Sequence, residues 1–274
     1  MAHTMTNSST SSTLRFALYD YWLDFPDPRT KHYPVVGMSP LTFGLIMASY
    51  VWFVTSIGPK LMKNREPFQL RSVMLVYNTA MVAINTYFFA MVVVHCDYGK
   101  RFLDFKYPDR NDWSARTLWE LSMGWWYLMS KFLDLFDTVL FVLRKKQSHI
   151  TFLHLYHHTC VPVFGWMFLK HNGVMPATGL FGLINSFIHI LMYSYYALST
   201  LGPEVRPYLW WKKYITQAQL AQFAFGIVYG IVMLFLQTGY PVFWFYFGLT
   251  QPFFFFYLFY DFYRNSYFNK TKLN

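Results

Sequence analysis

The sequence predicts an all-α membrane protein, and three properties of its 274 residues lead to that class. Hydrophobic residues make up 55% of the chain and aromatic residues 23%, while charged residues make up only 13%. A soluble domain usually carries about 25% charged residues. This composition excludes a disordered protein, a collagen-like fibre and a basic domain that coats nucleic acid. Two cysteines are too few for a disulfide scaffold.

Seven apolar segments are long enough to cross a bilayer, which takes about 20 residues of α-helix. They lie near residues 41–58, 72–95, 118–142, 150–169, 175–199, 215–238 and 241–262. The chain is therefore predicted to comprise an N-terminal tail (1–40), a seven-span domain (41–262) and a basic tail (263–274).

The net charge of +10 is interpreted as membrane topology. Lys and Arg are more numerous on the side of the membrane that holds Arg144–Lys146, Lys212, Lys213 and Arg264. The positive-inside rule predicts that this side is cytosolic. The N-terminus is then luminal and the C-terminus cytosolic.

Both termini carry a sequence that agrees with this orientation. Asn7 begins a glycosylation sequon in the predicted luminal tail. Lys270 and Lys272 resemble a cytosolic dilysine signal for retrieval to the endoplasmic reticulum. A solvated basic tail is the alternative explanation for the two lysines.

The third predicted span contains ionisable residues, which are costly in a membrane unless they are paired or face a cavity. Lys131, Asp134 and Thr138 share one stripe of a helix, and Lys131 can pair with Asp134 three residues later. The pair is either a structural ion pair that fixes helix packing or the polar wall of a substrate cavity.

The fourth predicted span contains three histidines. His154, His157 and His158 are spaced so that their imidazoles share one helical face. A single buried histidine is usually a packing residue, but three on one face of a membrane helix indicate a functional site.

Two further stripes lie on the fifth and sixth spans. The fifth carries polar and aromatic residues at helical spacing: Asn185, His189, Met192, Tyr193 and Tyr196. The sixth carries Gln219 and Gln222, three residues apart. Hydrogen bonds between helices would also explain the Asn, Tyr and Gln residues, whereas His189 favours a site.

These four stripes occur in the order of a known set of motifs. They resemble the patterns KxxExxDT, HxxHH, NxxHxxMYxYY and TxxQxxQF of the very-long-chain fatty-acid elongases of the endoplasmic reticulum. One position departs from the pattern, because Asp134 stands where the family has Glu. The charge is kept on a side chain that is one methylene shorter.

The resemblance implies a 3-ketoacyl-CoA synthase that condenses long-chain acyl-CoA with malonyl-CoA and releases CoA and CO₂. It implies seven spans, six of them enclosing an acyl-chain tunnel. It also implies endoplasmic-reticulum lipids as surroundings and the reductase, dehydratase and enoyl reductase of the elongation cycle as partners. A homo-oligomer is compatible with it, whereas a permanent cofactor, a metal and a nucleic-acid partner are not expected.

The expected chemistry centres on the histidines. Imidazole is a competent nucleophile, so we expect His157 to take the acyl group. His158 and His189 would position the thioester carbonyls, with His154 in the same catalytic set. Asp134 and Asp137 would hold imidazole tautomers. The residues expected to bind substrate are Lys131, Asn185, Tyr193, Tyr196, Gln219, Lys212, Lys213 and Arg264.

The last three of these are expected to bind the phosphates of CoA, although topology alone also places basic residues there. Cys160, three residues after His157, is interpreted as a small helix residue rather than the nucleophile. A di-iron desaturase or hydroxylase is an alternative function, but such enzymes use several histidine boxes and this chain has one. A seven-span transporter is a second alternative, since carriers also bury charges.

Overall fold

The computed structural model describes residues 26–171, 175–239 and 242–268. Over these residues the chain forms nine α-helices and no named strand, apart from an isolated bridge between Lys106 and Thr238. The helices are α1 (Pro40–Trp52), α2 (Gly58–Met62), α3 (Arg71–His95), α4 (Ala115–Leu133), α5 (Phe136–Leu143), α6 (Phe152–His171), α7 (Gly179–Ser199), α8 (Lys212–Leu236) and α9 (Val242–Tyr267). Asn7, Lys270 and Lys272 lie outside the described residues.

The predicted all-helical class is confirmed. Within the described residues, four helical segments are long and apolar enough to cross a membrane: Pro40–Met62, Arg71–His95, Pro176–Ser199 and Lys212–Leu236. The first of these continues from α1 through a π-helical turn into α2. The third predicted span, 118–142, is divided between helices α4 and α5.

Polar caps fix where two of the helices begin. Ser39 precedes α1, and its hydroxyl accepts a hydrogen bond from the backbone N–H of Thr42 at 3.2 Å, with Pro40 in the first helical turn. Ser114 caps α4 in the same way through Thr117. Just before that cap, a hydrogen bond from the Thr117 hydroxyl, together with those from Ser114, lowers the pKa of Asp112.

The described residues divide into two compact units. The described residues of unit 1 belong to the ranges 1–66, 108–145 and 158–174. Those of unit 2 belong to the ranges 67–107, 146–157 and 175–274. Helix α6 contributes its first six residues to unit 2 and the rest to unit 1. The core of unit 1 consists of buried apolar side chains from α1, α4, α6 and the segment before α1. They are Val36, Phe43, Met47, Leu121, Leu128, Trp166 and Leu169.

Residues 26–38, within the predicted N-terminal tail, form a packed series of turns in unit 1. Arg29 and Asp27 form a buried ion pair with an Nη2–Oδ2 distance of 2.7 Å. The same guanidinium donates to the backbone carbonyls of Asp109 at 2.7 Å and Asp112 at 2.9 Å. Lys170 Nζ donates to two further carbonyls of this segment, at 2.9 and 3.0 Å. These bonds attach the segment to the end of α6 and to the loop before α4.

In unit 2, helices α3 and α7 pack against each other in antiparallel directions. The helices approach closely at one end of the contact, where a Cβ atom added at Gly179 would lie 3.1 Å from Cys96 Sγ. The contacting pairs are Cys96 with Gly179, Phe89 with Phe187 (ring centroids 6.1 Å apart) and Tyr77 with Tyr193 (6.0 Å). These three pairs define the register of the two helices.

The remaining long helices of unit 2 pack in series, with α8 between α7 and α9. Helix α8 contacts both α7 and α9. Near the end of α8, the Tyr229 hydroxyl hydrogen-bonds to the backbone carbonyls of Phe102 and Ala177. This contact holds the 3₁₀ turn at Asp97–Leu103 and the start of α7 to the side of α8.

Candidate active site

The predicted ion pair of the third span is present in unit 1. Lys131 Nζ lies 3.2 Å from Asp134 Oδ2, and both residues are 4% exposed. The ammonium also lies 4.8 Å from the ring centroid of Tyr127. A buried pair with this geometry keeps both charges in the interior of the unit.

Directly after Lys131 the helix changes to three residues per turn. Asp137 is buried, as Lys131 and Asp134 are. The backbone N–H groups of Leu135, Asp137 and Thr138 each bond to the carbonyl three residues earlier. Residues three apart eclipse one another in such 3₁₀ turns, so Lys131, Asp134 and Asp137 align. Asp137 is 8% exposed and Thr138 is 0% exposed.

Thr138 has a partner that the sequence did not indicate. The hydroxyl of Tyr50, on α1, donates to Thr138 Oγ1 at 2.8 Å. This bond holds α1 against the 3₁₀ turn, so Thr138 contributes to the packing of unit 1.

The three histidines of the HxxHH box lie on α6. His154 and His157 are half-buried and belong to unit 2, whereas His158 is buried and belongs to unit 1. Pro162 lies one turn further along the helix. Because proline has no N–H, it cannot donate the usual helical bond to the carbonyl of His158.

The imidazole of His157 lies beside two aromatic rings of α9. Its centroid is 5.4 Å from that of Phe255 and 6.4 Å from that of Phe259. Phe223 packs on both, at 5.4 and 5.0 Å. Phe255 is 6% exposed. The phenylalanine run 253–256 therefore contributes a ring to the surroundings of His157, a contact that the sequence did not predict.

His189 lies on the buried face of α7 in unit 2. It is 6% exposed, and its ring centroid is 5.7 Å from that of Tyr193, which is 0% exposed. Tyr193 in turn contacts the ring of Tyr196 at 6.1 Å. Asn185 and Tyr196 are half-buried. The predicted stripe is therefore present, and its centre is more buried than its ends.

Gln219 and Gln222 of α8 are half-buried, and Gln222 Oε1 is a buried oxygen without a hydrogen-bond partner. Gln219 lies one turn earlier on the same side of α8. Gln217 instead faces α9, where it donates to the Tyr263 hydroxyl at 2.7 Å. Gln217 therefore joins α8 to α9, whereas Gln219 and Gln222 lie on a different side of α8.

The predicted CoA-binding residues differ in their surroundings. Lys212 and Arg264 are exposed. Lys213 is half-buried, with its Nζ 5.8 Å from the ring centroid of Tyr263 and 5.5 Å from that of Phe268. A lysine above two rings contributes to packing as well as to charge, so the three cations are not equivalent.

Sequence reasoning missed two polar residues of α3. Asn78 and Asn85 are 2% and 0% exposed and lie seven residues apart on one face of the helix. The sequence does contain a signal for them, since two amides at helical spacing stand in an otherwise apolar span. Over the part of the chain that the structure describes, no group of three or more His, Cys, Asp or Glu residues is placed to hold a metal ion.

Comparison with known proteins identifies the family. A model of the GNS1/SUR4 (ELO) family matches residues 35–274. The chain belongs to the ELO family. Very long chain fatty acid elongase 7 of Rattus norvegicus is 41% identical over 244 residues, which cover 85% of this chain and 83% of the rat protein.

Two further relatives of this ELO protein agree with that match. Very long chain fatty acid elongase 1 of Homo sapiens is 43% identical over 213 residues, or 75% of this chain and 73% of the human protein. Very long chain fatty acid elongase 7 of Drosophila melanogaster is 37% identical over 254 residues, or 91% and 76%. The resemblance found in the motifs is confirmed, and the family supports fatty-acid elongation over the desaturase and transporter alternatives.

Proposed function

We propose that this chain catalyses the decarboxylative condensation of a long-chain acyl-CoA with malonyl-CoA, giving 3-oxoacyl-CoA, CoA and CO₂. The observation that carries the proposal is the placement of His157 in unit 2, where aromatic rings shield its imidazole. The relatives' names, very long chain fatty acid elongases, support a long acyl substrate.

In the first step, a ring nitrogen of His157 attacks the thioester carbonyl of acyl-CoA. A C–N bond forms, the C–S bond breaks, and the leaving thiolate takes the proton that the imidazole loses, so that CoA departs as a thiol. The rings of Phe255 and Phe259 limit the access of water to the acyl-imidazole. This protection favours transfer to carbon over hydrolysis.

In the second step, malonyl-CoA loses CO₂, and the electron pair of the broken C–C bond forms an enolate. The enolate carbon attacks the acyl carbon, and the imidazole of His157 leaves and recovers a proton from solvent. Protonated His189 donates an N–H to the developing oxyanion, and His158 assists with the thioester carbonyl. Asp134 and Asp137 hold the tautomer of His158, and His154 supports the box from the preceding turn.

Mass spectrometry of the protein incubated with acyl-CoA alone tests the covalent step. We expect one acyl group per chain, located on the peptide that contains His157, and none in the protein incubated with free fatty acid. Purified enzyme that is active yet carries no acyl group would favour direct condensation of the two thioesters instead.

Seven spans are proposed from the helices that hold the predicted segments. Besides the four segments named above, α6 has 20 residues and α9 has 26, and each is long enough for a hydrocarbon core of about 30 Å. Helices α4 and α5 together would form the remaining span. We propose that the N-terminus is luminal, that the C-terminus is cytosolic, and that six spans enclose an acyl-chain tunnel in the endoplasmic-reticulum membrane.

The CoA moiety is proposed to bind at the basic cytosolic side. Lys131, Asn185, Tyr193, Tyr196 and Gln219 are proposed to face the acyl and malonyl groups. The product would pass to a ketoacyl-CoA reductase, then to a dehydratase and an enoyl reductase, because a 3-oxo group must be removed before the next round of elongation.

The different surroundings of Lys212 and Lys213 predict different effects of neutralisation. Lys212→Gln should raise the KM for both CoA substrates about three- to tenfold, without a change in stability, because an exposed ammonium contributes only charge. Lys213→Gln should also lower the thermal midpoint, since its contacts with two rings are lost. Steady-state kinetics and thermal unfolding distinguish the two. Unchanged KM values for both variants would show that neither Lys212 nor Lys213 binds CoA.

A further inference from the structure

Helix α3 carries a fully buried amide that has no part in the proposed chemistry. Asn85 is 0% exposed in a helix that is apolar enough to cross the membrane. Burying a polar group there is unfavourable unless every atom finds a partner. The side chain therefore needs an explanation beyond packing.

The orientation of the Asn85 carboxamide is fixed at one end. Its Nδ2 donates to the backbone carbonyl of Met81 at 2.8 Å, which directs Oδ1 away from that carbonyl. Oδ1 is buried and has no hydrogen-bond partner. Buried polar atoms of this kind are rare in native proteins, and each calls for a specific explanation.

Helix α7 carries a second polar residue with the same property, seven residues from both Gly179 and Tyr193, which contact α3, and therefore on the same helical face. Ser186 is 0% exposed, and its Oγ is also buried without a hydrogen-bond partner. The register defined by the contacting pairs places Asn85 opposite α7 between Phe187 and Tyr193. Asn85 therefore lies within about one turn of Ser186 and of His189.

An unsatisfied amide oxygen requires a hydrogen-bond donor. The two proposed thioester substrates carry no N–H or O–H group at their reacting carbons. Helix α7 carries two donors at this level whose side chains are buried, the Ser186 hydroxyl and a ring N–H of His189. Because an amide oxygen has two lone pairs, it can accept from both groups at once.

We infer that Asn85 is a positioning residue for His189: when substrate fills the site, Asn85 Oδ1 accepts one ring N–H of protonated His189. The opposite N–H is then directed at the oxyanion of the substrate, and the Ser186 hydroxyl supplies the second hydrogen bond to Oδ1. The bond that one imidazole nitrogen makes sets the role of the other. Hydrogen bonds of catalytic histidines commonly tighten only in the loaded enzyme. The inference rests on the proposed role of His189 in condensation.

Asn85→Leu in the full-length protein tests the inference, because leucine has nearly the same size and no polar atoms. We expect kcat to fall about tenfold and the KM for acyl-CoA to stay within twofold. Thr86→Val is the matched control, since the neighbouring Thr86 is exposed and bonds only to the carbonyl of Val82 in its own helix. The control should retain the wild-type kcat.

The decisive readout is the combination with His189→Gln. If Asn85 acts through the imidazole, Asn85→Leu should cause no further loss in that background. Equal fractional losses in both backgrounds, or a wild-type kcat for Asn85→Leu, would overturn the inference. If Asn85→Leu does not fold, Ser186→Ala serves the same purpose, with a fall in kcat of about threefold expected and the same dependence on His189.

The same measurements separate this inference from the proposed function. Loss of elongation in His157→Ala with full activity in Asn85→Leu would reject the role of Asn85 alone. Full activity in His157→Ala would reject the nucleophilic role of His157, and the absence of any 3-oxoacyl-CoA product from the folded wild-type protein would reject the proposed function itself.

Discussion

We expect elongation to fall about 10³-fold or more in the His157→Ala variant, because alanine cannot form the acyl intermediate. The effect should appear in kcat rather than in protein level, since the ring is half-buried and meets Phe255 and Phe259 edge-on. Fatty-acid profiling of yeast lacking its own elongases, expressing each variant, measures the loss.

His32→Ala is the matched control for that experiment. His32 is an exposed histidine outside the box, so its removal tests whether loss of any imidazole affects expression or activity. The control should produce the wild-type profile. Elongation products at wild-type levels from His157→Ala would contradict the nucleophilic role of His157.

The largest expected effect on stability is that of Arg29→Ala. Burial disfavours the charged guanidinium, but the hydrogen bond and charge of Asp27 outweigh it and raise the pKa of Arg29. Removing Arg29 leaves the fully buried Asp27 carboxylate uncompensated and removes the donor to two backbone carbonyls. Breaking a buried pair in this way costs about 3–5 kcal/mol.

Unfolding of the purified protein in detergent, by heat or by denaturant, measures this loss. Lys31→Ala is the control, because Lys31 lies two residues away and is exposed, and it should change the unfolding free energy by less than about 0.5 kcal/mol. An Arg29→Ala protein as stable as the wild type would show that residues 26–38 do not contribute to the fold of unit 1.

Much of the candidate site could be predicted from spacing, because helical periodicity depends only on neighbours in sequence. The pairing of Lys131 with Asp134 and the stripe of His189 and Tyr193 are of this kind, and both are present in the structure. The alignment of Asp137 with Lys131 could not be predicted, since an ideal helix turns it away. It depends on the local change to three residues per turn.

Other features depend on contacts between distant parts of the chain. The sequence shows Arg29 in a polar tail, whereas its partners include the carbonyls of Asp109 and Asp112, about 80 residues further along. Likewise, the approach of Phe255 to His157 depends on the packing of α9. Periodicity contains no information about such contacts, and only the fold reveals them.

The central claim is the condensation reaction, and mass spectrometry of the products of the purified protein tests it most directly. Protein supplied with a long-chain acyl-CoA and malonyl-CoA, without reductases or reductant, should release one CO₂ for each 3-oxoacyl-CoA formed, two carbons longer than the acyl substrate. A folded, monodisperse preparation that consumes neither substrate, or one that releases CO₂ from malonyl-CoA without forming a carbon–carbon bond, would contradict it.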